Sequence, residues 1–237
     1  MEHALQSSFV LHTRPYRDSS LIMELFTLEH GRLGVVARGA RSKKANLSGL
    51  YQPFVPVLAS WFGRGELYTL DKIEAAGIAY ELTGKSLYSG FYINELIMRL
   101  VHRNDPHPLL FSRYLDTLTY FQTSPDIEVS LRCFEKCLLQ EIGYGLLLEH
   151  DAVTGAKIDA NKHYMYQSEH GPVIVNDSID EGLIISGQTL ISIYNDQYDD
   201  AQSLVEAKKL MRREIANHLG GKPLKSRNLY IQQQNVL

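Results

Sequence analysis

The amino-acid sequence predicts an α+β protein: a five-stranded barrel of the OB-fold type, then a central helical bundle, then a mixed C-terminal region. Three observations support this prediction. Short runs of β-forming residues alternate with glycine-containing turns over residues 1–80. Apolar residues recur at helical spacing over residues 81–148, and residues 149–237 combine a hairpin pattern with further helical patterns. We therefore expect three parts with these boundaries.

Five strands are expected in the first part of the chain. We predict them at residues 8–12, 21–27, 31–38, 53–62 and 66–75. Pro53 and Pro56 favour an edge position or a strand start, because proline has no amide proton to give to a sheet. Five short strands with tight turns suit a small barrel, and the five-stranded OB-fold is the natural candidate.

The rest of the chain is predicted to be mainly helical. Helices are expected at 87–101, after Pro108, at 127–142, at 188–194 and at 201–219. The first three would form a small bundle, and the last helix, which stops at Gly220-Gly221, would pack on it. Between them, residues 164–166 are expected to pair with residues 173–175 in a hairpin.

The composition excludes several classes of protein. The net charge is −3 over 237 residues, so any binding of polyanions must rest on local charge. The N-terminus lacks the pattern of a secretory signal, and no apolar run approaches the roughly 20 residues of a transmembrane helix. We expect a cytoplasmic protein without a membrane contact. Cys133 and Cys137 lie four apart on a predicted helix and match no zinc motif.

The sequence contains no recognisable motif of an enzyme. It has no phosphate-binding loop, no nucleophile elbow and no zinc-protease helix. The acidic groups Asp177, Asp180 and Glu181, and Asp199-Asp200, have two interpretations: ligands of a metal-dependent nuclease, or solvated loop and helix-start residues. The missing motif favours the second, so we expect a protein that is not an enzyme and has no cofactor.

A cationic strip follows the predicted third strand. Residues 31–50 contain five basic side chains and no acid: Arg32, Arg38, Arg41, Lys43 and Lys44. Arg32 and Arg38 have the same strand parity and share one face, opposite Val35 and Ala37. The strip is either a solvated surface or a track for nucleic-acid phosphates, which OB-fold loops often bind. The aromatic residues available nearby for stacking on a base are Tyr51, Phe54, Trp61 and Phe62. We expect most of these rings in the core, with Tyr51 the best candidate for exposure.

A second cationic patch lies near the C-terminus. Its members are Lys208, Lys209, Arg212, Arg213, Lys222, Lys225 and Arg227. The first four recur at spacings of one, three and four, so they form one stripe on the last helix. The stripe is either an ordinary solvated helix face or a phosphate contact. Two separated patches on an acidic chain fit a protein that contacts phosphate at two places or holds two strands.

Several motifs occur together in an order typical of one known family. They are ARGARSKK with the following QPF, LYSGFYINEL, the EIGYG break and GGKPLKSR. Over residues 9–227 the chain resembles the RecO family of bacterial recombination mediators, and enterobacterial-type members look most similar. The resemblance implies an OB-fold, a helical bundle and a C-terminal region that binds zinc in many members. This chain has no cysteine after Gly145, so we expect a metal-free counterpart, held by the hairpin and apolar packing.

The resemblance also implies a function in DNA repair after DNA damage. Proteins similar to RecO bind single- and double-stranded DNA and anneal complementary strands in the bacterial cytoplasm, at the nucleoid. With RecR they help to load RecA onto DNA coated by the single-stranded-DNA-binding protein. No catalytic residue is implied. We expect the two cationic patches to be the DNA-binding surfaces.

One further residue is singled out by the resemblance alone. Arg132, in SLRCFEKC, matches an arginine that captures the acidic C-terminal tail of the coating protein in this family. A guanidinium suits a terminal carboxylate, which it can bind through two parallel hydrogen bonds. Alternatively, Arg132 pairs with Glu135 or Glu128 along its helix. The alternative function is then a protein-interaction adaptor that binds this tail and contacts DNA only incidentally.

Overall fold

The computed structural model describes residues 4–42, 47–124, 126–175 and 182–226 of the chain. The chain forms two compact units. The first comprises residues Met1–Thr123 together with Leu224–Leu237, and the second comprises Ser124–Pro223. The polypeptide therefore leaves the first unit once and returns to it. The sequence-based division into three parts follows a change in residue pattern and stays a prediction.

The first unit begins with a closed five-stranded barrel. Its strands are β1 (Gln6–Tyr16), β2 (Ser20–Thr27), β3 (Gly31–Ala37), β4 (Pro56–Phe62) and β5 (Leu67–Ala75). Their order around the barrel is β1-β2-β3-β5-β4, with β4 pairing back to β1 and with β3 and β5 parallel. This architecture confirms the predicted OB-type barrel. Proline at the start of β4 leaves the sheet ladder intact.

Alternating side chains fill the barrel, with register shifts in β1 and β4. Val10, Met23, Leu25, Leu33, Val35, Ala37 and Trp61 point inward and are nearly inaccessible. Tyr51 joins this core from a short 3-10 helix, Ser48–Tyr51, and keeps only 7% of its surface exposed. Tyr51, the best candidate for exposure, is therefore buried, because the 3-10 turn directs its ring into the barrel core. Phe54 and Trp61 are buried as well, as expected for most of these rings. The exposed aromatic residue nearby is Phe62, at 38%.

Two helices complete the first unit, α1 (Gly84–Leu100) and α2 (Pro108–Thr123). Phe9 and Phe26, on the outer face of β1 and β2, pack against Tyr114 with ring centroids 5.1 and 5.9 Å away. Buried Asn94 donates to the carbonyl of Leu11 and accepts from the Tyr114 hydroxyl. Leu11 lies at a register shift of β1, so its carbonyl is available to α1.

The second unit combines three helices with a small antiparallel sheet. Its elements are α3 (Glu128–Glu141), β6 (His163–Gln167), β7 (Gly171–Ile174), β8 (Ile184–Ser186), α4 (Gly187–Asn195) and α5 (Ala201–His218). Tyr164 faces Ile174 and Met165 faces Val173, which confirms the predicted hairpin, and β8 adds a third strand. Helix α5 packs against α3 and α4. Asp200 caps α5 by accepting the amide of Ser203.

A buried carboxylate, Asp151, holds together the loop that follows α3. Asp151 accepts hydrogen bonds from the amides of Val153, Thr154 and Ile174 and from the Thr154 hydroxyl. Burial alone would raise the pKa of Asp151, but these hydrogen bonds outweigh it and lower the pKa overall. Within the described ranges, no group of three or more metal-ligating side chains is placed to hold an ion. Asp177, Asp180 and Glu181 lie outside those ranges.

Two remaining sequence features have plain structural outcomes. Cys133 and Cys137 lie on α3 and form no disulfide, and Cys133 is buried. Over the part of the chain that the structure describes, no helix has the length and apolar character of a membrane span.

Candidate nucleic-acid interface

The loop after β3 folds back onto the turn between β1 and β2. The amide of Arg41 donates to the carbonyl of Ser19 at 2.8 Å, and Arg41 Nη1 donates to the carbonyl of Arg17 at 3.3 Å. Arg17 has a positive φ of 51°, which fits its place in a tight turn. These contacts bring the basic end of β3 next to basic residues from the first hairpin.

Four arginines lie on the segments that this contact joins, the β1–β2 hairpin and the exit of β3. Arg14, Arg17, Arg38 and Arg41, which we call the barrel-end cluster, are all exposed. The Arg17 guanidinium lies over the ring of Tyr16, 5.2 Å from its centroid. Asp18, in the same turn, is an exposed acid. The cluster thus has a strong excess of positive charge on the turn between strands 1 and 2, one of the two loops that OB-folds use to bind oligonucleotides.

An outward-facing row of residues leads from this cluster across the barrel. Arg14 is opposite Ile22, and Ile22 is opposite Val36. Val36 is opposite Thr69 on β5, which in turn is opposite the exposed Phe62 on β4. Residues directly opposite one another share a face of the sheet. Four strand spacings of about 4.8 Å place Phe62 roughly 19 Å along the surface from Arg14.

Arg32, inside β3, has a different environment from Arg38, which follows the end of that strand. Its Nη1 atom pairs with Glu24 Oε2 at 3.0 Å, and its Nε atom donates to the carbonyl of Val101. Arg103 pairs with the other oxygen of Glu24. Only 16% of the Arg32 side chain is exposed, and burial lowers the pKa of Arg32. We call this group of Glu24, Arg32 and Arg103 the clamp, because it fastens β2 and β3 to the segment after α1.

The remaining members of the predicted strip, Lys43 and Lys44, lie outside the described residues. The structure therefore places Arg38 and Arg41 in one exposed group and Arg32 in the clamp. It adds Arg14 and Arg17, which the sequence reasoning missed. The signal that would have found them is the pairing of β1 with β2, since their turn adjoins the exit of β3.

The four cations of α5 cover its outer face but differ in their partners. Lys208 pairs with Glu128 of α3 at 2.8 Å. Arg213 pairs with Glu214 and donates to the carbonyl of Tyr166. Lys209 and Arg212 are exposed and lie between these two on the helix surface. In the predicted stripe, the two middle cations, Lys209 and Arg212, are thus exposed, and the two outer ones, Lys208 and Arg213, pair with carboxylates of the same unit.

The rest of the C-terminal patch is divided between the units. Lys222 is exposed and precedes the boundary at Pro223. Lys225 is also exposed but belongs to the first unit, where its amide donates to Glu95 of α1. Arg227 lies outside the described residues.

Arg132 lies in the second unit and is buried. It pairs with Glu135 one turn along α3, with Nε and Oε2 separated by 2.9 Å, so this alternative from the sequence is present in the structure. Its Nη1 atom and the hydroxyl of Tyr198 are buried and have no hydrogen-bond partner among the described residues. Burial raises the pKa of Tyr198, and the Cys133 thiol and Asp196 raise it further.

Known proteins with similar sequences match this chain over nearly its whole length. Residues 1–79 match the family model described as Recombination protein O N terminal, and residues 82–228 match Recombination protein O C terminal. The chain is 46% identical to the DNA repair protein RecO of Methylococcus capsulatus, covering 95% of this chain and 92% of that protein. It is 45% identical to the Nitrosococcus oceani protein of that name, covering 97% and 93%, and 41% identical to that of Aliivibrio fischeri, covering 98% and 97%. With two family models that together span the barrel, the helices and the C-terminal sheet, the chain belongs to the RecO family of DNA repair proteins.

Proposed function

We propose that this protein is a DNA-binding recombination mediator without catalytic activity. It anneals complementary strands and, with RecR, helps to load RecA onto single-stranded DNA coated by the single-stranded-DNA-binding protein. It works in the cytoplasm, at the nucleoid. Family membership supports the role in DNA repair, and the finer steps and partners are our inference from the resemblance of the motifs.

The barrel-end cluster is the observation that carries the proposal. Arg14, Arg17, Arg38 and Arg41 are exposed cations on adjacent segments of an OB-type barrel. Phosphates attract such cations, and each contact releases counterions from the DNA. The exposed ring of Phe62, on the same outward-facing row as Arg14, offers a face on which a base can stack. A backbone track with one stacking ring favours single-stranded DNA without sequence preference.

A second phosphate contact is proposed on α5, centred on Lys209 and Arg212. Lys208 and Arg213 flank it but already have carboxylate partners. Annealing requires two polyanions to approach each other, and their mutual repulsion is the main obstacle. Two separate cationic surfaces lower that repulsion, since each can neutralise phosphates of a different strand.

The tail of the coating protein is proposed to bind at Arg132. Two buried donors support this, Arg132 Nη1 and the hydroxyl of Tyr198, both without hydrogen-bond partners among the described residues. A carboxylate that reached them would satisfy groups whose burial otherwise costs about 1–3 kcal/mol each. Because Glu135 already pairs with Arg132, the incoming carboxylate must compete with an internal one.

An annealing assay tests the proposal. Complementary strands labelled at their ends are mixed bare or coated with the single-stranded-DNA-binding protein, whose tail is intact or removed. We expect annealing of bare strands to be lost when Arg14, Arg17, Arg38 and Arg41 are all replaced by alanine. Annealing of coated strands should require the intact tail. Unchanged annealing of bare strands by the fourfold variant would contradict the proposed DNA track.

The same assay separates the alternative, a tail-binding adaptor with incidental DNA contact. Under that alternative the fourfold variant anneals coated strands as well as the wild type does, whereas Arg132→Ala abolishes the activity. Under our proposal both variants lose activity on coated strands, and Arg132→Ala retains it on bare strands. A synthetic tail peptide, titrated by fluorescence anisotropy, provides a direct measure of the contact with Arg132.

A further inference from the structure

A single carboxylate holds the returning C-terminal segment on helix α1. Glu95 Oε1 accepts the amide of Lys225 at 2.9 Å, and Oε2 accepts the amide of Ser226 at 2.8 Å and its hydroxyl at 2.7 Å. All three residues belong to the first unit. The contact joins two motifs that characterise the sequence, LYSGFYINEL and GGKPLKSR.

The contact is well buried and specific for an ionised carboxylate. Glu95 is 15% exposed in its side chain, and Ser226 is 5% exposed. Burial by itself raises the pKa of Glu95, but the hydrogen bonds from Ser226 and Lys225, together with the charge of Arg99 on the same helix, outweigh it and lower the pKa overall. Three donors converge on two oxygens, an arrangement that an uncharged side chain cannot reproduce in full.

The segment needs such an anchor because of the residues before it. Helix α5 ends at His218, and Gly220 and Gly221 both adopt positive φ values, 62° and 73°. Glycines of this kind lose more backbone entropy on ordering than other residues. Lys225 keeps its side chain exposed while its backbone is held. Glu95 thus fixes the backbone of Lys225, while the ammonium group of Lys225 stays exposed and is not paired with Glu95.

We propose that Glu95 is a positioning residue for DNA binding: its carboxylate holds the backbone of Lys225 so that the exposed ammonium group contacts a phosphate. The inference rests on the proposed function and extends it to a residue of the opposite charge. It places Lys225 with the barrel unit, as a phosphate contact separate from the α5 stripe. It also predicts that removing the negative charge of Glu95 weakens DNA binding, whereas charge alone would strengthen it.

DNA affinity is the first measurement. Electrostatics alone would let Glu95→Ala bind single-stranded DNA as tightly as the wild type or up to about fivefold more tightly at 0.1 M salt. We expect instead a loss of about fivefold, the value of one lost contact, and a log–log salt slope smaller by about 0.7. Lys225→Ala should show the same loss in the wild-type background and no further loss in the Glu95→Ala background. The DNA affinity of Glu95→Gln should lie between those of the wild type and Glu95→Ala, since the amide oxygen of glutamine can accept only some of the three hydrogen bonds. Glu81→Ala, an exposed acid of the same unit, is the matched control.

Limited trypsin digestion is the second measurement and involves no DNA. The peptide bond between Lys225 and Ser226 is a trypsin site, and the backbone amides of both residues donate to Glu95. We expect its cleavage, followed by mass spectrometry, to be at least about tenfold faster in Glu95→Ala and also faster in Ser226→Ala, because local opening sets the rate. Thermal melts of each variant establish that the remainder is folded.

The two measurements distinguish the ways in which the inference fails. Unchanged cleavage in Glu95→Ala would overturn the anchor itself, whatever the DNA result. Faster cleavage with unchanged DNA affinity, or additive effects of Glu95→Ala and Lys225→Ala, would overturn the positioning role while the barrel-end cluster stands. Failure of the wild type to bind DNA would instead refute the proposed function.

Discussion

The two ends of strand β3 carry the same kind of residue in opposite environments. Arg32, near its start, is mostly buried and shares Glu24 with Arg103. Arg38, just beyond its end, is exposed and lies beside Arg14, Arg17 and Arg41. Strand parity predicts both on the same face of the sheet, although β3 ends at Ala37 and Arg38 lies in the turn that follows. What separates them is the neighbouring chain: the segment after α1 covers the first end, and a short hairpin turn lies beside the other.

This contrast shows how to distinguish a structural cation from a binding one. A guanidinium that already has a carboxylate and a carbonyl partner gains little from a phosphate, since the internal pair must first be broken. An exposed arginine loses only side-chain entropy and counterions when it meets DNA. The α5 stripe repeats the contrast, with paired Lys208 and Arg213 beside open Lys209 and Arg212. Four experiments test this distinction between paired and exposed cations.

The largest effect is expected at the barrel-end cluster. Replacing its four arginines by alanine removes about four phosphate contacts, each worth roughly fivefold in affinity at 0.1 M salt. Affinity for single-stranded DNA should therefore fall on the order of several hundredfold, and the log–log salt slope should decrease by about 2.8. Fluorescence anisotropy over a range of salt concentrations measures both. A variant that keeps its affinity and its slope would remove this surface from the proposed interface.

Arg32→Ala should affect stability and leave binding nearly unchanged. It removes one partner of a largely buried ion pair and a donor to the carbonyl of Val101, which costs about 1–3 kcal/mol of unfolding free energy. Arg103 still neutralises Glu24, so the loss stays below that of an isolated buried charge. Urea denaturation gives the stability and anisotropy gives the DNA affinity. A tenfold loss of affinity in a folded Arg32→Ala protein would erase the distinction between the two ends of β3.

On α5, a matched pair of double variants isolates exposure from charge. Lys209→Ala with Arg212→Ala removes two open cations and should weaken DNA binding by about 25-fold at 0.1 M salt. Lys208→Ala with Arg213→Ala removes the same charge from the paired positions, and we expect a change of less than about threefold. Equal losses in the two variants would mean that total charge, and not the absence of an internal partner, decides binding.

The smallest effect tests whether a paired cation can be converted into a binding one. Hydrogen bonding and charge from Lys208 lower the pKa of Glu128 in spite of burial, which raises it. The carboxylate therefore holds Lys208 at neutral pH and releases it as the pH falls through the lowered pKa, below the usual value of 4.5. At pH 7, Glu128→Gln should bind DNA up to about fivefold more tightly than the wild type, with a slope larger by about 0.7. The difference should shrink as the pH falls through the lowered pKa of Glu128 and disappear well below it, and a difference that persists there would exclude this pairing as its cause.

The sequence was most informative where a local pattern decides the structure. Alternation placed Val35 and Ala37 in the barrel core, and turn residues around His170 located the hairpin of β6 and β7. Both are properties of short segments whose side-chain periods are fixed by backbone geometry. The closing of the barrel by β5 and β4 also followed from the number and length of the strands.

The candidate site was less predictable, because it depends on contacts between segments that are distant in sequence. Arg17 and Arg41 are 24 residues apart, and only the folded turn brings them together. Parity predicts Arg32 and Arg38 on one face, but β3 ends at Ala37, and parity could not show that Glu24 and Val101 already hold Arg32. The ranking of Tyr51 as the best candidate for exposure failed for the same reason, since nothing near it in sequence reveals the core that it enters.

The return of the chain to its first unit has a consequence for biosynthesis. The hydrogen bond between Ser226 and Glu95 spans 131 positions, and the whole second unit is translated between them. During synthesis on the ribosome, the contact between α1 and Ser226 can therefore form only after the whole second unit has emerged. The barrel strands emerge much earlier and can pair before that. A nascent chain stopped at Pro223 would carry a complete barrel with a half-buried carboxylate whose three donors have not yet been made. Removal of the C-terminal segment should thus first destabilise α1, in the N-terminal half of the protein.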